Sequence, residues 1–514
     1  MTSGISRRQL LQHGGTAAAG LAGLGLVAGC GSAKATSRSA SSARSTGHPA
    51  SSASPGVYHF VTRPDLEPPM VSITGRDRGV GSDYIFLGTV QSGPGHGGAM
   101  IVDTSGRLVW FDQDARKVTK MNFRPQMFGG KQVLTWWQGA VVQGRGKGVA
   151  VIADSSYRTT HVIRAGNGLQ ADLHEFYLTP QNTALISAYR QYNVDLTQVG
   201  GPKNGVLVSG VAQEIDVATG KVLFEWDSMD HVALTETYNT YLAKKPGMGQ
   251  GGTLANPFDY FHINSISPMP DGDLLISARN TWALYKVSRK TGKVIWRMNG
   301  KKSDFAMGPG THYYWQHHSR AHGPDKITVF DDGGDPAEEK QSRGLILKVD
   351  TAAMKVTLDH AYIHPGKTLL AGAMGSVEIM PSGNVFVGWG TETYFSEFAP
   401  DGTLLLDGQM TAKDPSYRAF KNTWTGHPTE PPAIAARSRG AEATVYASWN
   451  GATAIRSWNV FAGSSRYSLA KVGAAAWSGF ETAIPVSNAG PYFSVQALDG
   501  SGHVLAKSAT VRVL

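Results

Sequence analysis

From about residue 80 to residue 410 the chain is built of short runs in which apolar and polar residues alternate, broken about every ten residues by Pro, Gly, Asn or Asp. Alternation with a period of two predicts half-buried strands, and the breakers between runs predict tight turns. The pattern repeats. His174 opens His174-Glu-Phe-Tyr-Leu-Thr-Pro-Gln-Asn-Thr-Ala-Leu-Ile-Ser-Ala-Tyr-Arg190, and His262 opens His262-Ile-Asn-Ser-Ile-Ser-Pro-Met-Pro-Asp-Gly-Asp-Leu-Leu-Ile-Ser-Ala-Arg279. A third unit starts at Gln316-His317-His318 and turns at Gly-Pro-Asp into Ile327-Thr-Val-Phe330. A fourth, Gly375 to Trp389, carries Ser376 where the others carry histidine. Hairpin pairs repeated in this way predict an all-β β-propeller.

The spacing predicts six blades, at about 81–112, 120–165, 174–226, 262–296, 317–364 and 375–408. Two insertions interrupt them, near 190–209 and 229–259. The second runs straight into Asp259-Tyr260-Phe261-His262 and is expected over the mouth of the central channel. The chain predicts no long amphipathic helix, residues 229–245 being the one stretch able to hold a short one. After Pro431-Pro432 the strands shorten and acids become few, which fits an immunoglobulin- or fibronectin-like β-sandwich over 431–514.

The N-terminal end changes the picture of location. Ser6-Arg7-Arg8-Gln9-Leu10-Leu11, a weakly apolar stretch and Val27-Ala28-Gly29-Cys30 read as a twin-arginine lipoprotein signal over 1–29, with lipid on Cys30. Residues 30–56, rich in Ser and Ala, then form a flexible tether. The expected location is the extracytoplasmic face of the cell membrane, held there by the lipid. Cys30 is the single cysteine, so no intrachain disulfide or Cys-based metal site forms. Of the net +9, six charges fall in residues 1–64, which hold Arg7, Arg8, Lys34, Arg38, Arg44 and Arg63 and no acids. The remaining 42 basic and 39 acidic residues leave +3, and that argues against a nucleic-acid partner.

The repeat brings chemistry to one place. The start of each blade's innermost strand faces the channel, so His174, His262 and His317 are expected to converge there. Strand residues i and i+2 share a face, which points Asn264 the same way as His262. Arg279 ends the next strand and reaches the same channel. Adjacent strand residues face opposite ways, so only one of His317 and His318 lines it. Imidazoles, an amide and a guanidinium without a carboxylate in the repeat suit an oxyanion better than a metal cation. Gly139 to Lys147 resembles a phosphate loop only superficially and is read as a glycine-rich turn, and Asp331-Asp332 as part of a solvated loop.

Leu134-Thr-Trp-Trp-Gln-Gly139, Ala171-Asp-Leu-His-Glu-Phe176, Asp259-Tyr-Phe-His-Ile-Asn-Ser265, Trp315-Gln-His317, and Gly388-Trp-Gly390 with Tyr394-Phe-Ser-Glu-Phe398 together resemble the bacterial arylsulfotransferase family, in its lipoprotein and fungal-type branch. The resemblance runs from about Phe60 to the C-terminus. It implies a six-bladed propeller that moves a sulfuryl group from a phenolic sulfate ester to a phenolic acceptor through a sulfohistidine, with neither nucleotide donor nor cofactor. His317, in its Gln-His context, matches the sulfated histidine. His262, Asn264 and Arg279 match the residues that hold the sulfuryl oxygens, and His174 the remaining channel histidine. Tyr260, Tyr314 and Trp315 are expected to line a phenol pocket. The disulfide of enteric members is absent. A non-catalytic propeller lipoprotein that binds a ligand or a surface partner is the rival from another class. A quinoprotein dehydrogenase would need a tryptophan floor and a calcium carboxylate that the sequence does not place.

Overall fold

The computed structural model describes residues 56–75, 83–241, 251–411, 413–487 and 490–513. The expected signal segment, Cys30 and all but the last residue of the expected tether lie outside them. Among the described residues there is no α-helix, only 3-10 turns, and no helix is long and apolar enough to cross a membrane. Where a short helix was expected after residue 229, the chain makes two such turns, Ser228–Asp230 and Leu234–Glu236.

The strands up to residue 423 form five sheets of a β-propeller; the nine-stranded one holds two meanders joined at a single pair, Gly148 with Ala171, and the antiparallel meanders are numbered in ring order. The second to sixth follow chain order, beginning with the strands Thr119–Phe128, Ala171–Leu178, Ile263–Pro268, His317–Ala321 and Ser376–Ile379. The first was expected to be continuous and is not. Its strands Asp83–Thr89, Gly98–Asp103 and Leu108–Gln113 take their innermost partner, Ser416–Thr423, from the far end of the ring. Val71–Gly75 likewise adds to the outer strand Leu404–Met410 of the sixth. Both ends of the ring are thereby closed by backbone pairing, which leaves fewer free strand edges.

Innermost strands are buried on both faces, and outer ones alternate. His317–Ala321 is buried along almost its whole length, whereas half the residues of Lys355–Tyr362, the fourth strand outward in the same meander, are exposed. In the strand Leu274–Ala278, Leu274 and Ile276 pack with Phe261 and Tyr285, while Leu275 between them packs with Ile327, Val329 and Leu345 of the next meander. The period of two therefore sends successive side chains to opposite neighbours, and this interleaving forms the core.

The inner strands share one irregularity. Each of the second to fifth meanders has a β-bulge where its innermost strand pairs outward: Met121 to Arg124, Ala171 to Phe176, Ile263 to Ser265, and His317 to Arg320. A bulge places extra residues opposite fewer partners and re-aims their side chains. Beneath these bulges lies a buried charge network. Glu175 pairs with Arg320 at 2.7 Å and Arg418 at 3.2 Å, while the Arg418 guanidinium donates to the carbonyls of His174 and Asn264, both at 2.8 Å. Burial alone would raise the Glu175 carboxyl, but Arg320, Arg418 and Arg124 outweigh it and bring it down to about 2.

Beyond residue 430 a sheet of Ala433–Arg439, Glu442–Ser448 and Glu481–Ser487 shares one core with a second sheet centred on Ser457–Ser465 and Tyr492–Leu498. Trp458, Val460, Ile484 and Val495 fill the space between them, as in a β-sandwich. The Glu481 carboxylate accepts from the Thr62 amide at 2.7 Å and its hydroxyl at 2.6 Å.

Candidate active site

Three imidazoles meet at the bulged ends of the inner strands. His174 lies inside its bulge, His262 stands just before its strand at φ +55°, and His317 opens its strand with His318 behind it at φ +48°. All three line a cavity of about 480 Å³ together with Arg279, Tyr417 and Met374. The His262 and His174 Nε2 atoms are 3.2 Å apart, and the His174 and His317 rings are 6.5 Å apart, centre to centre.

Each imidazole has an aspartate behind it. Nδ1 of His174 is 2.6 Å from Asp172, Nδ1 of His262 is 2.7 Å from Asp259, and Nδ1 of His317 is 2.8 Å from Asp332. This corrects the expectation of a site without carboxylates. Asp172 and Asp259 stand two and three residues before their histidines, inside motifs already singled out; the spacing of i and i+2 sets Asp172 on the face of His174, whereas three residues set Asp259 outside that count. Asp332 arrives through the pairing of His317 with Phe330 and is fully buried, so the solvated loop expected at Asp331-Asp332 is also corrected. Asp331 in turn pairs with Arg343.

The carboxylates order the site. An Nδ1–H held on an aspartate leaves Nε2 as the free lone pair, directed into the cavity. The Nε2 atoms of His174 and His262, at hydrogen-bond distance, are the exception: such a bond requires a proton on one of them. Burial would raise Asp172 and Asp259; the imidazole each faces, with neighbouring donors, outweighs it and holds both low. Burial lowers His262 despite Asp259. His317 is pushed well below its ordinary value by burial, then by Arg279 and the other two histidines, which keeps its ring neutral. Asp332 is pushed well above its ordinary value by burial, with Arg279 opposing.

Arg279 leaves the end of Leu274–Ala278 in a 3-10 turn, its amide bonded to the His262 carbonyl at 2.9 Å. Its guanidinium donates to the Gly372 carbonyl at 2.9 Å and lies 4.7 Å from the centre of the Trp315 ring. A cation so braced beside the imidazoles can receive an oxyanion. A model of the arylsulfotransferase (ASST) family matches residues 124–411, more than half of the chain. The chain belongs to the arylsulfotransferase family.

Membership in the arylsulfotransferase family supports aryl sulfotransferase activity in the broad sense, with phenolic substrates for sulfuryl transfer. No curated protein sequence matches the chain. Among solved structures, a protein of unknown function from Bacteroides caccae is 9% identical, covering 66% of this chain and 99% of its own, with a TM-score of 0.39. A catalytically inactive virginiamycin B lyase from Staphylococcus aureus, with quinupristin, is 9% identical over 74% of this chain and 97% of its own, at 0.33. The β-propeller domain of Cps50 from Myceliophteria thermophila is 11% identical over 62% and 95%, at 0.32. Likenesses this distant add nothing to the reading of the arylsulfotransferase site.

Four other expected site residues fall away from the cavity. Asn264 is fully buried and donates to the Gln316 carbonyl at 2.5 Å, because the bulge at Ile263 to Ser265 and the left-handed His262 break the shared face of i and i+2. Tyr260 is buried in the core with its hydroxyl on Ser228 Oγ at 2.9 Å. Trp315 is buried against Arg279, and Tyr314 packs edge-on against Trp282. The lining instead includes Met121, Leu173, Phe258, Met374 and Tyr417 around the imidazoles. His318 turns away and meets the Val377 backbone.

Arg145 was also missed. It follows Gln143 and Gly144, at φ +52° and +74°, in a tight hairpin turn whose tip reaches His262. Arg145 contacts Asp259 at 3.4 Å, the carboxylate that holds His262. The glycine-rich stretch is a turn as expected, yet it borders the cavity. The second insertion borders it too, through Gly251 and Asn256 to Asp259.

Proposed function

We propose that this arylsulfotransferase works through a sulfohistidine on His317, taking the sulfuryl group from a phenolic sulfate and passing it to a phenol. The observation that carries the reading is the convergence of three aspartate-backed imidazoles and Arg279 on one cavity. The neutral Nε2 of His317 attacks sulfur. The N–S bond forms as the aryl O–S bond breaks, and the departing phenolate takes the proton held between His174 and His262. In the second half the acceptor phenol returns a proton to that pair and attacks sulfur, releasing His317. Sulfuryl transfer resembles phosphoryl transfer in spreading charge over the equatorial oxygens, so placement and fixed positive charge dominate the barrier. Arg279 supplies that charge, and Asp332 faces the cationic ring that forms. Mass spectrometry after incubation with 4-nitrophenyl sulfate tests the reading: a sulfuryl adduct on the peptide containing His317 is expected, and its absence from an active enzyme overturns it.

Arg279→Ala leaves the nucleophile in place and removes an oxyanion partner. A loss in kcat of about 10²–10³-fold is expected, with the adduct still formed slowly.

Aspartate-backed imidazoles are also the pattern of metal-ligating histidines, and this favours a metal centre as the second reading. Among the described residues no group of three or more such side chains is placed to hold an ion. Turnover is expected to survive exhaustive chelation. Loss of activity restored by zinc would redraw the site.

Export and lipid anchoring through Cys30 complete the proposal. Cys30→Ala is expected to move the protein from the membrane fraction to the soluble one, as read by immunoblot.

A further inference from the structure

A second groove, of about 290 Å³, adjoins the catalytic cavity. Gln143, Arg145 and Pro257 line both, so one wall of side chains divides them. Tyr189 lines the groove on its other side, and its ring centre lies 6.4 Å from that of His174 and 6.2 Å from that of His262. The two spaces therefore flank one ridge, and a ligand reaching from one to the other passes over the side chains they share. The hairpin tip is pinned where the two spaces meet, by Gln143 Nε2 donating to the Ala255 carbonyl at 3.1 Å.

Apolar and cationic groups are displayed here together. Val142 and Leu254 line the groove at 43% and 74% exposed, and together they give it an apolar edge. Of the cations in the groove, Arg145 is engaged by Asp259, and Arg190 by Glu225 and Asp227 at 2.8 and 2.7 Å. Lys147 is exposed and has no ion-pair partner among the described residues. An apolar floor beside a free ammonium complements a flat ring that ends in an anion. The catalytic cavity, at about 480 Å³, is by itself of a size that takes a drug-like ligand, in the range of about 300–1,000 Å³.

From this we infer that the groove is a second ring subsite and that the substrate class is an extended phenol of two or more rings with an anionic group at its far end. The reacting phenol sits among the imidazoles, the distal ring lies against Val142 and Leu254, and the distal anion meets Lys147. The inference rests on the sulfuryl-transfer reading of the adjoining cavity, which it deepens.

The test uses the full protein and three donors: 4-nitrophenyl sulfate, 4′-carboxybiphenyl-4-yl sulfate and its uncharged 4′-methyl analogue. The carboxylated two-ring donor is expected to have the highest kcat/KM. Lys147→Glu should lower it about two- to five-fold for that donor alone, the range of one partly screened ion pair. Leu254→Ser should lower it for both two-ring donors and leave 4-nitrophenyl sulfate unchanged. Equal changes for all three donors, no change for any, or no preference for two rings would overturn the subsite while an adduct on His317 left the transfer reading standing. If no donor is turned over, the transfer reading fails by itself. The subsite is then decided by calorimetric binding of 4′-hydroxybiphenyl-4-carboxylate, expected to weaken by the same factor in Lys147→Glu; equal affinity overturns it.

Discussion

Replacing His317 by alanine is expected to abolish both the release of phenol from an aryl sulfate and the mass gain that marks the adduct. Nothing else in the cavity can substitute. The Nε2 atoms of His174 and His262 face each other at 3.2 Å, so in the hydrogen bond between them one carries the proton and the lone pair of the other accepts it. His318 sits next in sequence but meets the Val377 backbone, so it cannot take over, and His318→Ala should be mild in its effect on chemistry. Stopped-flow release of 4-nitrophenol separates the outcomes: no burst and no steady state in His317→Ala, and both retained in His318→Ala. A burst surviving in His317→Ala would place the nucleophile elsewhere.

Asp332→Asn is expected to cost about 10²–10⁴-fold in kcat/KM with little change in fold, comparable to the loss of an aspartate that sets a histidine tautomer. The reactive arrangement has the proton on Nδ1 of His317, Asp332 ionised and Nε2 bare. An amide can present its N–H₂ to Nδ1, which moves the ring proton to Nε2 and closes the nucleophile. The same logic fixes the sign of the pH dependence. Burial pushes Asp332 well above the ordinary carboxyl range, so a proton added to the Asp332–His317 pair as pH falls leaves Nε2 protonated. In the wild type kcat/KM should rise with pH through the apparent pKa of the pair, at a value above that of an ordinary carboxyl group. In Asp332→Asn this limb should vanish along with most of the rate. Retention of the limb in the variant would assign it to another group.

The three aspartates explain why the site was only partly legible. Repetition of a histidine ahead of similar hairpins was enough to bring His174, His262 and His317 together, because equivalent positions in a propeller face the same axis. It was not enough to orient them. Strand periodicity assumes regular pairing, and every one of these inner strands is bulged at the site. The bulges took Asn264 out of the cavity, and the one from Ala171 to Phe176 holds Asp172 at its own histidine, while Asp259 reaches His262 from the short strand Phe258–Asp259 before it. The aromatic residues expected to hold a phenol were chosen by nearness in sequence, and Tyr260 and Trp315 proved to be buried supports for the walls.

What the sequence by itself determined is what depends on local period and composition: an all-β chain, hairpin repeats and their spacing, the sandwich-like tail, and the histidines with Arg279. Family membership was also carried by short motifs, each contiguous in the chain. Only the tertiary structure decided the rest. The closing strand Ser416–Thr423 pairs with Asp83–Thr89 across more than three hundred residues, and no local pattern encodes a partner that distant. Asp332 reaches His317 across a hairpin, and Arg145 approaches the site from the tip of another meander. These contacts follow from bulges and ring closure, where small departures from regular pairing are summed over the whole ring, and a reading one strand at a time cannot sum them.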